Sequence, residues 1–184
     1  MMWSLPTAVT IDGEEYNIRN RCDYRVVLDV IEALKDAELE MEDRLRCALF
    51  IFYEDISKCT DISVAIKKMF EIINNGQEDD QKQEDKPRLM DWKHDFSAIA
   101  PPISRVLGYE VRMPDKFTHW YTWLGAYMEI GECFFATVVS IREKRQKGKA
   151  LEKWEQDFYR QNKKIVDLPQ NLTEEEKEWL SSDW

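Results

Sequence analysis

Residues 116–151, KFTHWYTWLGAYMEIGECFFATVVSIREKRQKGKAL, carry an aromatic-rich apolar stripe that runs straight into a basic, glycine-punctuated segment. Phe117, Trp120, Tyr121, Leu124, Tyr127, Met128, Gly131, Phe134, Phe135 and Val138 recur at steps of three and four, which a 3.6-residue period places on one helix face. The spacing predicts one long helix over about 117–145, on the order of 40 Å at 1.5 Å per residue. Trp123 and Ile130 fall outside the main face. The rings of Trp120, Tyr121, Trp123 and Tyr127 therefore encircle the helix; most of the stripe reads as this chain's own core, and the part of the aromatic surface left over is expected to face another chain, since Trp and Tyr anchor interfaces.

Outward from this stretch the pattern stays helical. Toward the N-terminus, AVTI and EEYNI flank Asp12-Gly13, a pair suited to the positive φ angles of a tight hairpin turn. From Asp23, a candidate cap, Val26, Val27, Val30, Ile31 and Leu34 form an apolar face that ends before about Glu40. Glu42 to Tyr53 is apolar almost all round over Cys47–Tyr53, which predicts an enclosed central helix. Asp61 to Asn75 is a clean amphipath, with Ile62, Ala65, Ile66, Met69, Phe70 and Ile73 on one side. Asn74, Asn75 and Gly76 stop it.

The run GQEDDQKQEDK (76–86) has no apolar side chain and a net charge of −3. It cannot bury enough surface to offset ordering and reads as a mobile acidic linker over 76–87. Beyond it, Pro101-Pro102 predicts two short helices in place of one, because proline removes an N–H and disfavours helix in the residue before it. Gly108 ends the second, and Tyr109–Arg112 reads as extended, able to pair with the hairpin. Lys147-Gly148-Lys149 is a stop, after which Leu151, Trp154, Phe158 and Ile165 are expected to face inward. In the acidic tail, 170–184, Thr173 and Glu176 have capping-box spacing ahead of Trp179 and Leu180. The fold class is mainly α: a bundle of about six to eight helices with a small N-terminal β-hairpin (within 1–20), all in one domain over 1–184.

Composition narrows the function classes. The 184 residues carry a formal charge of −10, which opposes general affinity for phosphate backbones. The local balance differs: residues 142–164 hold nine basic side chains against four acidic, and 173–184 hold five acidic against one basic. A basic run interleaved with Trp154, Phe158 and Tyr159 resembles a nucleic-acid groove, yet Trp154 and Phe158 lie i and i+4 as core residues do. Four scattered cysteines with no CxxC and no signal peptide fit a reducing cytoplasm. The charge-free stretches of the stripe, Phe117–Met128 and Cys133–Ile141, fall short of the roughly 18–20 residues of a membrane span.

Reactive constellations are sparse. His94 and His119 have no second His or Cys at i+3 or i+4, so no metal site is predicted. Asp91 and Asp95 flank His94, and Glu129 lies three residues before Glu132. A first-turn carboxylate and a polar helix edge account for both pairs more simply than acid–base chemistry. Cys133 lies fourteen residues beyond His119, about 21 Å along a helix, too far for a nucleophile and its base. GxSxG, GxGxxG and GxxxxGK[ST] are missing.

Three stretches, DYRVVLDVIEAL (23–34), DWKHDFSAIAPPISRVLGYEVR (91–112) and HWYTWLGAYMEIGECFFATVVSIREKRQKGKALEKWEQDFYRQNKKIVDL (119–168), together resemble the phage "gene product fifteen" family of tail-assembly modules in long-tailed phages and prophages of Gram-positive bacteria. The similarity covers most of Tyr16–Leu168 and contains no reactive signature. It implies a non-enzymatic tail-assembly chaperone or assembly factor in the cytoplasm of the bacterial host. The implied partner is the helical tape-measure protein, with the tail-tube protein and a second copy of the chain as further ones. No catalytic, cofactor-binding or metal residues come with the resemblance, and no cofactor is expected. The partner-binding residues expected from residue type and period are Trp120, Tyr121, Trp123 and Tyr127, with Trp179, Leu180 and Trp184 of the tail as a second set. The rival readings are a structural minor tail component of the virion, a nucleic-acid binder using 142–164, and an enzyme whose site assembles only in three dimensions.

Overall fold

The computed structural model describes residues 4–76 and 88–169. All of the predicted acidic linker except Gly76, and the whole tail with Trp179, Leu180 and Trp184, lie outside the described residues. Within them the chain is mainly α, with seven α-helices and one two-stranded antiparallel sheet. Strands β1 (Ala8–Ile11) and β2 (Glu14–Asn17) pair in the register Val9↔Tyr16 and Ile11↔Glu14. Asp12 and Gly13, at φ 51° and 86°, make the tight turn that the sequence predicts.

Helix α1 (Tyr24–Lys35) starts where Asp23 accepts the Arg25 N–H at 3.0 Å. Just before it, Asn20, Arg21 and Cys22 all have positive φ, 49° to 64°. This left-handed turn costs L-residues roughly 1–2 kcal/mol each. Its neighbours hold it in place: Arg19 donates to the carbonyls of Phe50, Ile51 and Tyr53, and the Cys22 carbonyl accepts the Trp120 N–H at 2.8 Å. Nothing in residue type announces that turn.

Helices α2 (Met41–Phe52) and α3 (Ile62–Ile73) follow, α3 capped by Asp61, which accepts the Val64 N–H at 3.1 Å. Contrary to the enclosed helix predicted over Glu42–Tyr53, α2 buries only Ala48, Leu49 and Phe52, while Met41, Cys47 and Phe50 face out. A peripheral helix buries one face, whatever its composition. On α3, Ala65, Met69 and Ile72 are buried, but Ile62 and Phe70 are exposed.

Helix α4 (Trp92–Leu107) runs unbroken through Pro101 and Pro102 and ends at Gly108 in the left-handed region, φ 76°. The predicted split does not occur. Ile99, Ala100 and Ile103 on both sides of the prolines are fully buried, and that shared apolar face holds the helix through the two missing donors. Tyr109–Arg112 forms no strand and does not pair with the hairpin. The Val111 carbonyl instead accepts the Tyr24 hydroxyl at 3.0 Å and the Arg25 guanidinium at 2.7 Å.

The predicted long helix over 117–145 is two: α5 (Trp120–Met128) and α6 (Phe134–Gln146). Gly131, at φ 59°, turns the chain, and Cys133 caps α6 by accepting the Ala136 N–H at its sulfur. The break answers the misfit of Trp123 and Ile130. A straight helix would leave them off the core face, whereas the turn buries both. Helix α7 (Lys153–Val166) follows the Lys147-Gly148-Lys149 stop. It packs on α6 through a small cluster of Val138, Ile141 and Val166, separate from the main core that runs from Val9 to Phe135. Trp154 does not face inward. It is 55% exposed.

Candidate partner-binding surfaces

The rings that the sequence offers as partner anchors are mostly inside. Trp120 is 2% exposed, and its indole N–H donates to the Ile73 carbonyl at 3.0 Å. Trp123 is fully buried, stacked on Tyr24 at 4.0 Å and 3° and on Phe96 at 6.0 Å and 14°. These two indoles belong to the core, so in the folded chain they offer no surface to another molecule. Tyr121 and Tyr127 are half-buried; burial pushes the Tyr121 hydroxyl up to about 12, and the Tyr127 hydroxyl donates to Met90 sulfur at 3.2 Å. Trp179, Leu180 and Trp184 lie outside the described residues.

The apolar surface left open lies elsewhere. Between α2 and α3 a groove of about 490 Å³ is lined by Leu45, Leu49, Phe50, Ile56, Ile62 and Ile66, with Phe50 59% exposed. Ile56 and Cys59, in the α2–α3 connection, add to its lining, and the ion-paired Glu42 and Arg46 are its charged members. This volume lies within the roughly 300–1,000 Å³ range of binding clefts. A second apolar edge is aromatic. Phe134 of α6 meets Phe158 of α7 at 5.3 Å between ring centroids, and exposed Trp154 precedes Phe158 by one turn. The surplus of apolar residues over Cys47–Tyr53 was the available signal for Phe50; Trp154 and Phe134 were visible only as members of helical faces.

The remaining polar candidates lie apart from these surfaces. Asp91 caps α4, accepting the His94 N–H at 2.7 Å; burial opposes its charge, but that bond together with Lys35 and Arg88 holds the carboxyl down at about 2. Asp95 binds Arg142 in a buried pair that sequence reading missed, because 47 residues separate the partners. His94 Nε2 contacts the Ile165 carbonyl at 3.1 Å, while Glu129 and Glu132 are exposed. Among the described residues no three His, Cys, Asp or Glu side chains gather as a metal site, and no helix is long and apolar enough to cross a membrane. Of the nine basic residues in 142–164, Arg142, Lys144, Arg145, Lys147 and Arg160 are ion-paired within the chain, Arg142 in the interior.

His119 ties the start of α5 to the segment before β1. Its Nδ1 accepts the Tyr121 N–H at 3.0 Å at the α5 start, which leaves Nε2–H to donate to the Pro6 carbonyl at 2.9 Å. Burial lowers its pKa, with Arg21 adding to that, while the Pro6 carbonyl and Asp23 pull the other way without prevailing. An unfolded histidine titrates near about 6.5, so below that pH the unfolded chain binds more protons. The His119 contribution is present above that value and fades as pH falls toward the lowered folded one. Acidification from pH 7.5 to 5 should lower the hydrogen-exchange protection factors of Tyr121 and Ile18, taken relative to the slower intrinsic exchange at acid pH, and His119→Asn should flatten that response.

These features define a mainly α-helical protein with an aromatic core and an apolar groove between two helices. The family model described as Bacteriophage Gp15 protein matches residues 1–168, and the chain belongs to that phage protein family. Comparison with curated proteins and with solved structures gives no match.

Proposed function

We propose that this chain acts without catalysis as a phage tail-assembly chaperone in the host cytoplasm, covering apolar helical seams of the tape-measure protein until the tail tube forms around it. The observation that supports this reading most is the open α2–α3 groove, with Leu45, Phe50, Ile62 and Ile66 at its wall. An amphipathic helix presents apolar anchors at i, i+3/i+4 and i+7, and a groove between two helices receives such a stripe. The net charge of −10 favours solubility of a complex whose other member is apolar.

The test is co-expression with the tape-measure protein of the same tail module. The wild-type chain should hold that protein in the soluble fraction, and Phe50→Asp or Ile62→Glu should weaken the complex at least about tenfold, the scale of one interface anchor. Both positions are exposed, so each variant should keep its own stability within about 1 kcal/mol. Unchanged insolubility of the tape-measure protein beside the wild-type chain would count against the reading. Recovery of the protein in purified particles would favour the minor tail component instead.

A further inference from the structure

We infer that the aromatic edge of the α6–α7 hairpin is the docking site for this chain's own C-terminal segment, residues 173–184. The inference does not rest on the chaperone reading and uses a different surface. Trp154, Phe134 and Phe158 make an apolar edge to which no described residue gives full cover, Trp154 and Phe134 remaining exposed. On the same hairpin, Lys149, Lys153, Lys163 and Lys164 are exposed and form no ion pair among the described residues, while the Trp154 indole N–H donates to Glu152 at 2.8 Å. The hairpin therefore offers rings beside unspent positive charge.

The segment supplies the complement. Thr173–Trp184, TEEEKEWLSSDW, carries five acidic residues against one basic, together with Trp179, Leu180 and Trp184. Its point of departure fits as well. The described chain leaves α7 at Val166 and reaches Leu168 beside Arg142 and Arg145, at the far end of the same helix from Trp154. Trp154 lies twelve residues before Val166, about 18 Å along a helix. Trp179 comes eleven residues after Leu168, which spans about 16 Å if helical and up to about 36 Å if extended. A segment folding back antiparallel along α7 brings its indoles to Phe158 and Trp154 and its carboxylates to the lysines. A short tether of this kind gives an effective concentration in the millimolar range, so modest contacts suffice.

The full-length protein tests this directly. Zero-length carbodiimide cross-linking should join Lys153, Lys163 or Lys164 to Glu174–Glu178 or Asp183 within the monomer band, as read by mass spectrometry. Glutamate-specific proteolysis within 174–178 should accelerate about tenfold in Trp154→Ala and in Lys153→Glu/Lys164→Glu, because cleavage follows the population of the undocked segment. Phe50→Asp, in the α2–α3 groove, should leave that rate unchanged. Cross-links found only in covalent dimers would replace the inference with docking onto a second copy. A cleavage rate that responds to Phe50→Asp, or to none of the variants, would overturn it.

Discussion

Arg142→Ala should lower the unfolding free energy by about 3–5 kcal/mol, the cost of leaving a buried charge without its partner. For a chain of this size that is a fall in melting temperature of roughly 6–20 °C, at 2–4 °C per kcal/mol. The guanidinium is 4% exposed and the Asp95 carboxylate fully buried, joined through two bonds of 2.7 Å. Every N–H of the guanidinium is used. Besides Asp95 it donates to the carbonyls of Leu89 at 2.8 Å, Ile165 at 2.6 Å and Val166 at 2.7 Å. One side chain thus ties the start of α4 to the last carbonyls of α7, where a cation also meets the negative end of the helix dipole.

Arg142→Lys should recover little, since an ammonium cannot reproduce the planar fork that reaches carboxylate and carbonyls together. Asp95→Leu/Arg142→Met removes both charges, yet it should stay well below wild type because three main-chain carbonyls still lose their donor. Urea unfolding of Asp95→Leu, Arg142→Met and the double variant measures the coupling. A loss below about 1 kcal/mol in Arg142→Ala would show that water takes over the role of the guanidinium.

What the sequence makes legible here is local. The Asp12-Gly13 turn, the Asp23 cap, the Gly108 stop and the Lys147–Lys149 break all depend on residues within a few positions of one another, and each stands where its chemistry puts it. Features set at a distance were hidden. Pro101-Pro102 reads as a break until the buried faces of Ile99 and Ile103 are known, and the Asp95–Arg142 clasp joins two polar residues that look like solvated helix surface. The stripe over 116–151 misled for a related reason: its period is helical on both sides of Gly131, but one turn separates two helices and redirects the rings. Aromatic surplus was a sound signal. Where it surfaces, at Phe50 on α2 and at Trp154 and Phe134 on the last hairpin, was decided by which helix faces the fold had room to cover.

That relocation of the rings predicts opposite fates for two tryptophans. Trp123→Ala should cost about 3–5 kcal/mol, the usual range for removing a large buried aromatic side chain. It leaves a void between Tyr24 and Phe96 and removes two stacked contacts, worth about 0.5–1.5 kcal/mol each beyond burial. Trp154→Ala, at an exposed edge, should change stability by no more than about 0.5 kcal/mol. Trp123→Phe separates ring from polar group. The Trp123 indole N–H is buried without a hydrogen-bond partner among the described residues, so its removal forfeits no bond, and the smaller ring keeps part of the stack. Its loss should therefore be clearly smaller than that of Trp123→Ala in the same chemical denaturation experiment. If Trp154→Ala destabilised the chain more than Trp123→Ala, the core would lie on the other side of these helices and the α6–α7 edge would not be a surface.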